Sequence, residues 1–153
     1  MKRLLVIVLI VVLTIGTFVI VSDAIHSDKK DDFNVWLDDI NTRWGIKLKE
    51  TEKCIFSKSN REGLQGDGYS CLIVQYKDKE TVKKMLDWAK TTDDARADIK
   101  AILDNLDVDT KKRPDINNLL LYKMVDKEDD HDELYVIYDP DKPKNLYIIE
   151  SYF

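Results

Sequence analysis

Histidine, cysteine and clustered basic charge are scarce in this 153-residue chain, and each scarcity removes a class of function. The densest basic run is Lys111-Lys112-Arg113, with acidic residues on both sides. A phosphate backbone is gripped by a continuous basic stripe, so a nucleic-acid partner is disfavoured. Cys54 and Cys71 are the only cysteines and show no C-x-x-C spacing. His26 and His131 are the only histidines and stand far apart, so a zinc ligand set is missing and no metal site is expected. Neither histidine has a G-x-S-x-G nucleophile near it, and no phosphate-binding loop or dinucleotide fingerprint calls for a cofactor. The 29 acidic residues always offer some pair of carboxylates, so a pair by itself carries no catalytic signal. No internal repeat or low-complexity tract is present.

What is present announces itself at the start. Residues 4–21 are an uncharged run behind Lys2 and Arg3, and 15 of them are Leu, Ile, Val or Phe. At about 1.5 Å per residue the run reaches about 27 Å, close to the hydrocarbon thickness of a bilayer. Summed residue by residue, insertion is favoured by roughly 5 kcal/mol. The expected organisation is a cytoplasmic N-terminus at 1–3, a transmembrane anchor at 4–22, a charged stalk at 23–32 and an extracytoplasmic domain at 33–153. Lys2, Arg3 and the terminal amine favour an inside N-terminus. Cleavage as a secretory signal after Ala24 is the alternative, although the apolar core exceeds the usual seven to fifteen residues or so of a signal peptide. Either way the bulk of the chain lies outside the cytoplasm.

Without Lys2 and Arg3, residues 23–153 hold 22 basic and 29 acidic side chains, a net charge of −7. Such a surface repels anionic lipid heads and suits a basic protein partner or a cationic envelope component. Solubility explains the same charge more plainly.

Phe33, Trp36, Leu37, Ile40 and Trp44 recur at helical spacing, with Gly45 placed to end the helix. This stripe is expected to be buried against a sheet. Residues 54–57 and 69–76 read as a hairpin around the turn-rich 59–68. Asp78 is placed to cap a helix with Val82, Met85, Leu86 and Ala89 on its inner face. Thr92 or Asp93 starts another, with Ala95, Ile99, Ile102, Leu103 and Leu106 inside. Residues 119–125, 133–138 and 146–152 read as three strands joined by short polar turns, hence antiparallel. The fold class is α+β, a two-layer domain with a mostly antiparallel five-stranded sheet and about three helices on one face.

Cys54 and Cys71 stand at mirror positions in the proposed hairpin if its turn centres between Glu62 and Gly63. Opposed residues of an antiparallel pair have Cα atoms about 4.5–5.5 Å apart, within disulfide range. An oxidising compartment would keep such a bridge, worth about 3 kcal/mol, with two free buried thiols as the alternative.

The stretch most like a motif is Gln65-Gly66-Asp67-Gly68-Tyr69, where two glycines allow a sharp turn or close approach of a ligand. It resembles a His-Gly-Asp-Gly stretch leading into a strand in uncharacterised small exported or single-span proteins of low-GC Gram-positive bacteria. Gln65 stands where the His would be, and the resemblance implies no activity. These five residues are the candidate binding site, and strand-entry geometry is the plainer reading. An EF-hand test over Asn105, Asp107 and Asp109 fails, because Thr110 replaces the required Gly and Ile116 the required Glu. Asp129, Asp130, His131, Asp132 and Glu133 could hold a divalent ion loosely, with His131 as an extra ligand, and a solvated hairpin turn explains them equally well.

The function expected from these features is non-enzymatic: a membrane-anchored module that binds a protein or envelope component, in the manner of an immunity protein or inhibitor. The alternative is a small hydrolase of wall or peptide substrates using carboxylates such as Asp67.

Overall fold

A computed structural model describes residues 33, 35–61, 66–126 and 131–153. The expected anchor at 4–22, the stalk at 23–32, Gln65 and residues 127–130, with Asp129 and Asp130, lie outside the described residues. Among those described, no helix is long and apolar enough to cross a membrane. The chain forms two compact units, Met1–Trp36 and Leu37–Phe153, and the sheet belongs to the second. In the first, Phe33 is buried, whereas Trp36 is partly exposed rather than buried as expected.

The class is α+β as the patterning predicts, but the sheet has six strands, not five. Helix α1 covers residues 35–44, and Gly45 follows it at φ 62, the left-handed conformation that ends a helix most cheaply with glycine. Strands β1 (Lys53–Ser59) and β2 (Gly68–Gln75) form the hairpin. Asp78 caps the short α2 (Lys79–Lys83) by accepting from the Thr81 amide. The predicted second helix stops there, because Ala89–Lys90 becomes β3 and pairs with Leu120–Leu121. Thr92 caps α3 (Asp93–Asn105), which ends on the cations Arg113 and Lys100 bound to Asp104. Strands β4 (Leu120–Val125), β5 (Glu133–Tyr138) and β6 (Asn145–Tyr152) complete the set. The order is β1-β2-β6-β5-β4-β3 with every pair antiparallel, so the hairpin joins the β4–β6 meander through β2 against β6.

Both faces of this sheet are closed, which corrects the expectation of helices on one face. On one face Cys71, Ile73, Tyr135, Ile137, Tyr147 and Ile149 form a core with Ala95, Ile99, Ile102, Leu103 and Leu106 of α3. The alternate residues, Leu72, Val74, Leu134, Val136, Leu146 and Ile148, are as completely buried on the other. Leu37, Ile40 and Trp44 of α1, with Ile46 and Leu48 after it, are the buried side chains of that layer, and Trp44 is hydrogen-bonded to Glu150 of β6.

The expected disulfide does not form; Cys54 and Cys71 are free thiols. Cys71 lies across from Lys58 and Cys54 across from Val74. The three residues from Cys71 to Val74 along β2 span roughly 10 Å, beyond bridging range. A bulge at Ile55 turns Cys54 to the other face of the sheet. Ile55 and Phe56 both pack on the α3-side core, so Cys54 shares the pleat position of Val74 and faces away from Cys71. The register is pinned at the loop end of the hairpin, where Asn60 N–H donates to the Tyr69 carbonyl (3.0 Å) and the Asn60 side chain accepts from the Tyr69 amide (2.8 Å). Burial pushes the Cys71 thiol up to about 12, with the Cys54 charge adding to it.

Candidate functional site

One end of the sheet gathers the tip of the hairpin, the end of β6, the start of β5 and the last turn of α1. Register dictates who meets there: Gly68 lies opposite Tyr152, Ser70 opposite Glu150, and Leu134 opposite Glu150 on the other side. Glu150 thus sits in the middle of the sheet, 2% exposed, where an ionised carboxylate survives only if its oxygens are filled. They are filled by neutral donors. Trp44 Nε1–H donates at 2.8 Å, Ser70 Oγ–H at 2.7 Å, and the Tyr152 hydroxyl closes on the same carboxylate. Each is a charge-assisted bond of about 1.5–3 kcal/mol, and together they tie α1, β2 and β6 to one point.

The ring of Tyr152 carries two guanidinium groups. Arg61 lies over it at 3.6 Å from the centroid and Arg43 at 4.3 Å. Arg43 is a third exposed and pairs with Asp132 at 2.7 Å; the other oxygen of Asp132 accepts from the Phe153 amide at 3.2 Å. Arg61 Nε–H donates to the Gly66 carbonyl at 2.8 Å. Burial pushes the Tyr152 hydroxyl well above its ordinary pKa; the Glu150 charge and hydrogen bond raise it further, and the two arginines oppose them. At this site the hydroxyl is a donor, not a phenolate. On the α3 side of the same end, Tyr69 and Phe153 meet edge to face at 5.2 Å, and Phe153 is 54% exposed.

The expected site residues fall on the rim of this arrangement. Gly66 and Gly68 adopt φ 74 and 131, conformations that suit glycine. A Cβ on Gly66 would stand 3.1 Å from Arg61 Nη2, and one on Gly68 would stand 3.0 Å from the Asn60–Arg61 backbone. The glycines therefore make room for Asn60 and Arg61 of this chain. Asp67 is exposed, Tyr69 packs on Phe153, and Gln65 lies outside the described residues. Arg43, Arg61, Glu150, Tyr152 and Phe153 were not singled out from the sequence, and Asp132, expected in a solvated turn, is buried and paired with Arg43. One signal was available: Glu150 is a lone carboxylate at the end of the apolar run Leu146–Ile149.

A groove of about 680 Å³ runs past Arg43, lined by Thr42, Trp44, Gly45, Met124, Val125 and Asp126. A smaller one of about 340 Å³ lies between β3, α3 and β4, with Lys90, Asp94, Asp98 and Lys123 on its walls. Gly66–Tyr69 line neither groove. Among the described residues no group of His, Cys, Asp and Glu has the geometry to hold a metal ion. No protein-family model, curated protein or solved structure matches the chain.

Proposed function

We propose that this chain is a membrane-anchored extracytoplasmic binding module, held by residues 4–22 and engaging a protein or envelope component, in the manner of an immunity protein or inhibitor. The observation that carries the reading is the end of the sheet: Arg61 and Arg43 stacked over Tyr152, whose hydroxyl rests on a carboxylate with filled bonds, and exposed Phe153 packed on Tyr69 at the same end. Aromatic and arginine side chains dominate the energetics of protein interfaces, and a rigid floor beneath them lowers the ordering cost of binding. Asp67, the carboxylate named for the hydrolase alternative, is exposed and borders neither groove. The uncharged run and its basic flank support an anchor with the domain outside.

Two experiments test this. Protease added to intact protoplasts should remove the domain and leave a membrane-bound N-terminal stub; full protection would reverse the orientation. Purification from detergent extracts should bring down a stoichiometric partner that Phe153→Ala loses. A chain that runs alone at its monomer mass would count against the binding role.

A further inference from the structure

Arg61 is an exposed side chain that is nonetheless held at two points. Its guanidinium face lies on the Tyr152 ring at 3.6 Å, and its Nε–H is spent on the Gly66 carbonyl at 2.8 Å. An exposed arginine ordinarily keeps most of its rotamer freedom, so this fixation costs entropy. Among the described residues no ion pair joins it to a carboxylate, whereas Arg43 on the same ring is matched by Asp132. Glu150, beneath the ring, is satisfied by Trp44, Ser70 and Tyr152. Face and Nε edge are therefore used, and the terminal edge with Nη1 and Nη2 makes no hydrogen bond within the described residues. That edge presents two parallel N–H donors, the geometry a planar carboxylate accepts end-on. Gly66 is required for this pose, since a Cβ there would stand 3.1 Å from Nη2.

We propose that Arg61 is a preorganised receptor for an Asp or Glu side chain of a partner protein. This rests on reading the chain as a binding module and specifies the chemistry of its partner. The acidic balance of residues 23–153 repels a polyanion over its length and limits an acidic ligand to one or two carboxylates placed on the fork. Arg43, already neutralised by Asp132, holds the Tyr152 ring without being the contact itself.

The test uses the full chain in nanodiscs and follows the arginine Nε–H resonances in proton–nitrogen correlation spectra. Three probes are titrated at low salt: a capped pentapeptide of Asp and Glu around a central Phe, its Asn/Gln isostere, and inorganic phosphate. The acidic peptide should shift the Arg61 signal saturably, and its affinity should fall about tenfold or more in Arg61→Lys, which keeps the charge and loses the fork. The isostere and phosphate should give no saturable shift in the wild-type chain, a comparison that needs no variant to fold. Equal response to phosphate would make this a phosphate site, and equal affinity in Arg61→Lys would remove Arg61 from recognition. Either result, or silence toward the acidic peptide, overturns the assignment. If a partner still co-purifies from detergent in that case, the binding role stands and only its chemistry is wrong.

Discussion

Strands β5 and β6 each end one polar cluster in a Glu-x-Tyr pair, and the two pairs are solved in opposite ways. In Glu150–Tyr152 the carboxylate is buried and bound only by neutral donors, Trp44, Ser70 and Tyr152. In Glu133–Tyr135 the carboxylate is partly exposed at the start of β5, and Lys123 neutralises it at 2.6 Å while the Tyr135 hydroxyl donates to it. Asp98 stands 3.5 Å from the same hydroxyl. A carboxylate filled by neutral donors leaves nearby cations with capacity to spare, and Arg61 is such a cation. A carboxylate filled by lysine uses the cation up. The first arrangement organises a surface for something else; the second is a clamp between β4 and β5.

The sharpest way to break this contrast is to remove each carboxylate. Glu150→Ala leaves three buried donors without an acceptor, each costing about 1–3 kcal/mol, so a loss of about 3–5 kcal/mol is expected after relaxation. Glu133→Ala breaks a pair that is a quarter to a third exposed on each side, worth about 1 kcal/mol or less. Urea unfolding monitored by tryptophan fluorescence measures both. Equal losses would mean that burial does not separate the two clusters.

Alkaline pH probes the phenols in both. Burial raises the pKa of Tyr135 and Tyr152 above the ordinary 10.0, as it does for Tyr76 and Tyr147, and neighbouring carboxylates add to it for the first two. A raised folded-state value means that the native state resists ionisation. The stability these groups contribute is fully present below pH 10 and is lost as pH rises through the folded-state values. Phenolate absorbance for all seven tyrosines should therefore be complete only once the fold is lost. Complete ionisation with circular dichroism still native would contradict the packing of these rings.

How much of this could be read beforehand follows from what each element needs. The meander was legible: residues 119–125, 133–138 and 146–152 are apolar runs between polar turns, and the strands fall within a residue of those bounds. The α3 face was equally plain, because Ala95, Ile99, Ile102 and Leu103 keep helical spacing. Strand β3 was not, since two residues carry no period, and its existence depends on Leu120–Leu121 lying alongside. The cysteine pairing failed on the register: Cys71 lies opposite Lys58, because the loop that sets the register is centred nearer β2 than between Glu62 and Gly63, which local patterning does not reveal. The glycines at 66 and 68 were legible as special, but their purpose was not. Arg61 sits a few residues from them, while the ring it stacks on is Tyr152, reached only through the β2–β6 pairing.

Thiol reactivity gives a smaller but cleaner check of that register. Burial raises both thiols, and Cys71 far more completely. Cys54, only partly buried, should label with a maleimide over hours at pH 8, and Cys71 only after unfolding. Neither should be protected by oxidation, so adding reductant should not change the count. Two blocked cysteines released together by reductant would restore the disulfide and shift β1 along β2.

The smallest expected effect is at Asp67, and its smallness is informative. Asp67 sits between the two glycines that a ligand-binding reading would single out, yet it is exposed and Arg61 donates its Nε–H to the Gly66 carbonyl instead. Asp67→Asn keeps the volume and removes one charge, so unfolding free energy should move by about 0.5 kcal/mol or less. Phe153→Ala should likewise leave stability close to unchanged, because a ring this exposed buries little area. The two should part company in binding. Phe153→Ala removes an anchor, while Asp67→Asn leaves the Arg61 fork and the aromatic pair intact. If Asp67→Asn were the one to abolish partner capture, the glycine stretch would be the contact after all, and Arg61 with Tyr152 would be its support.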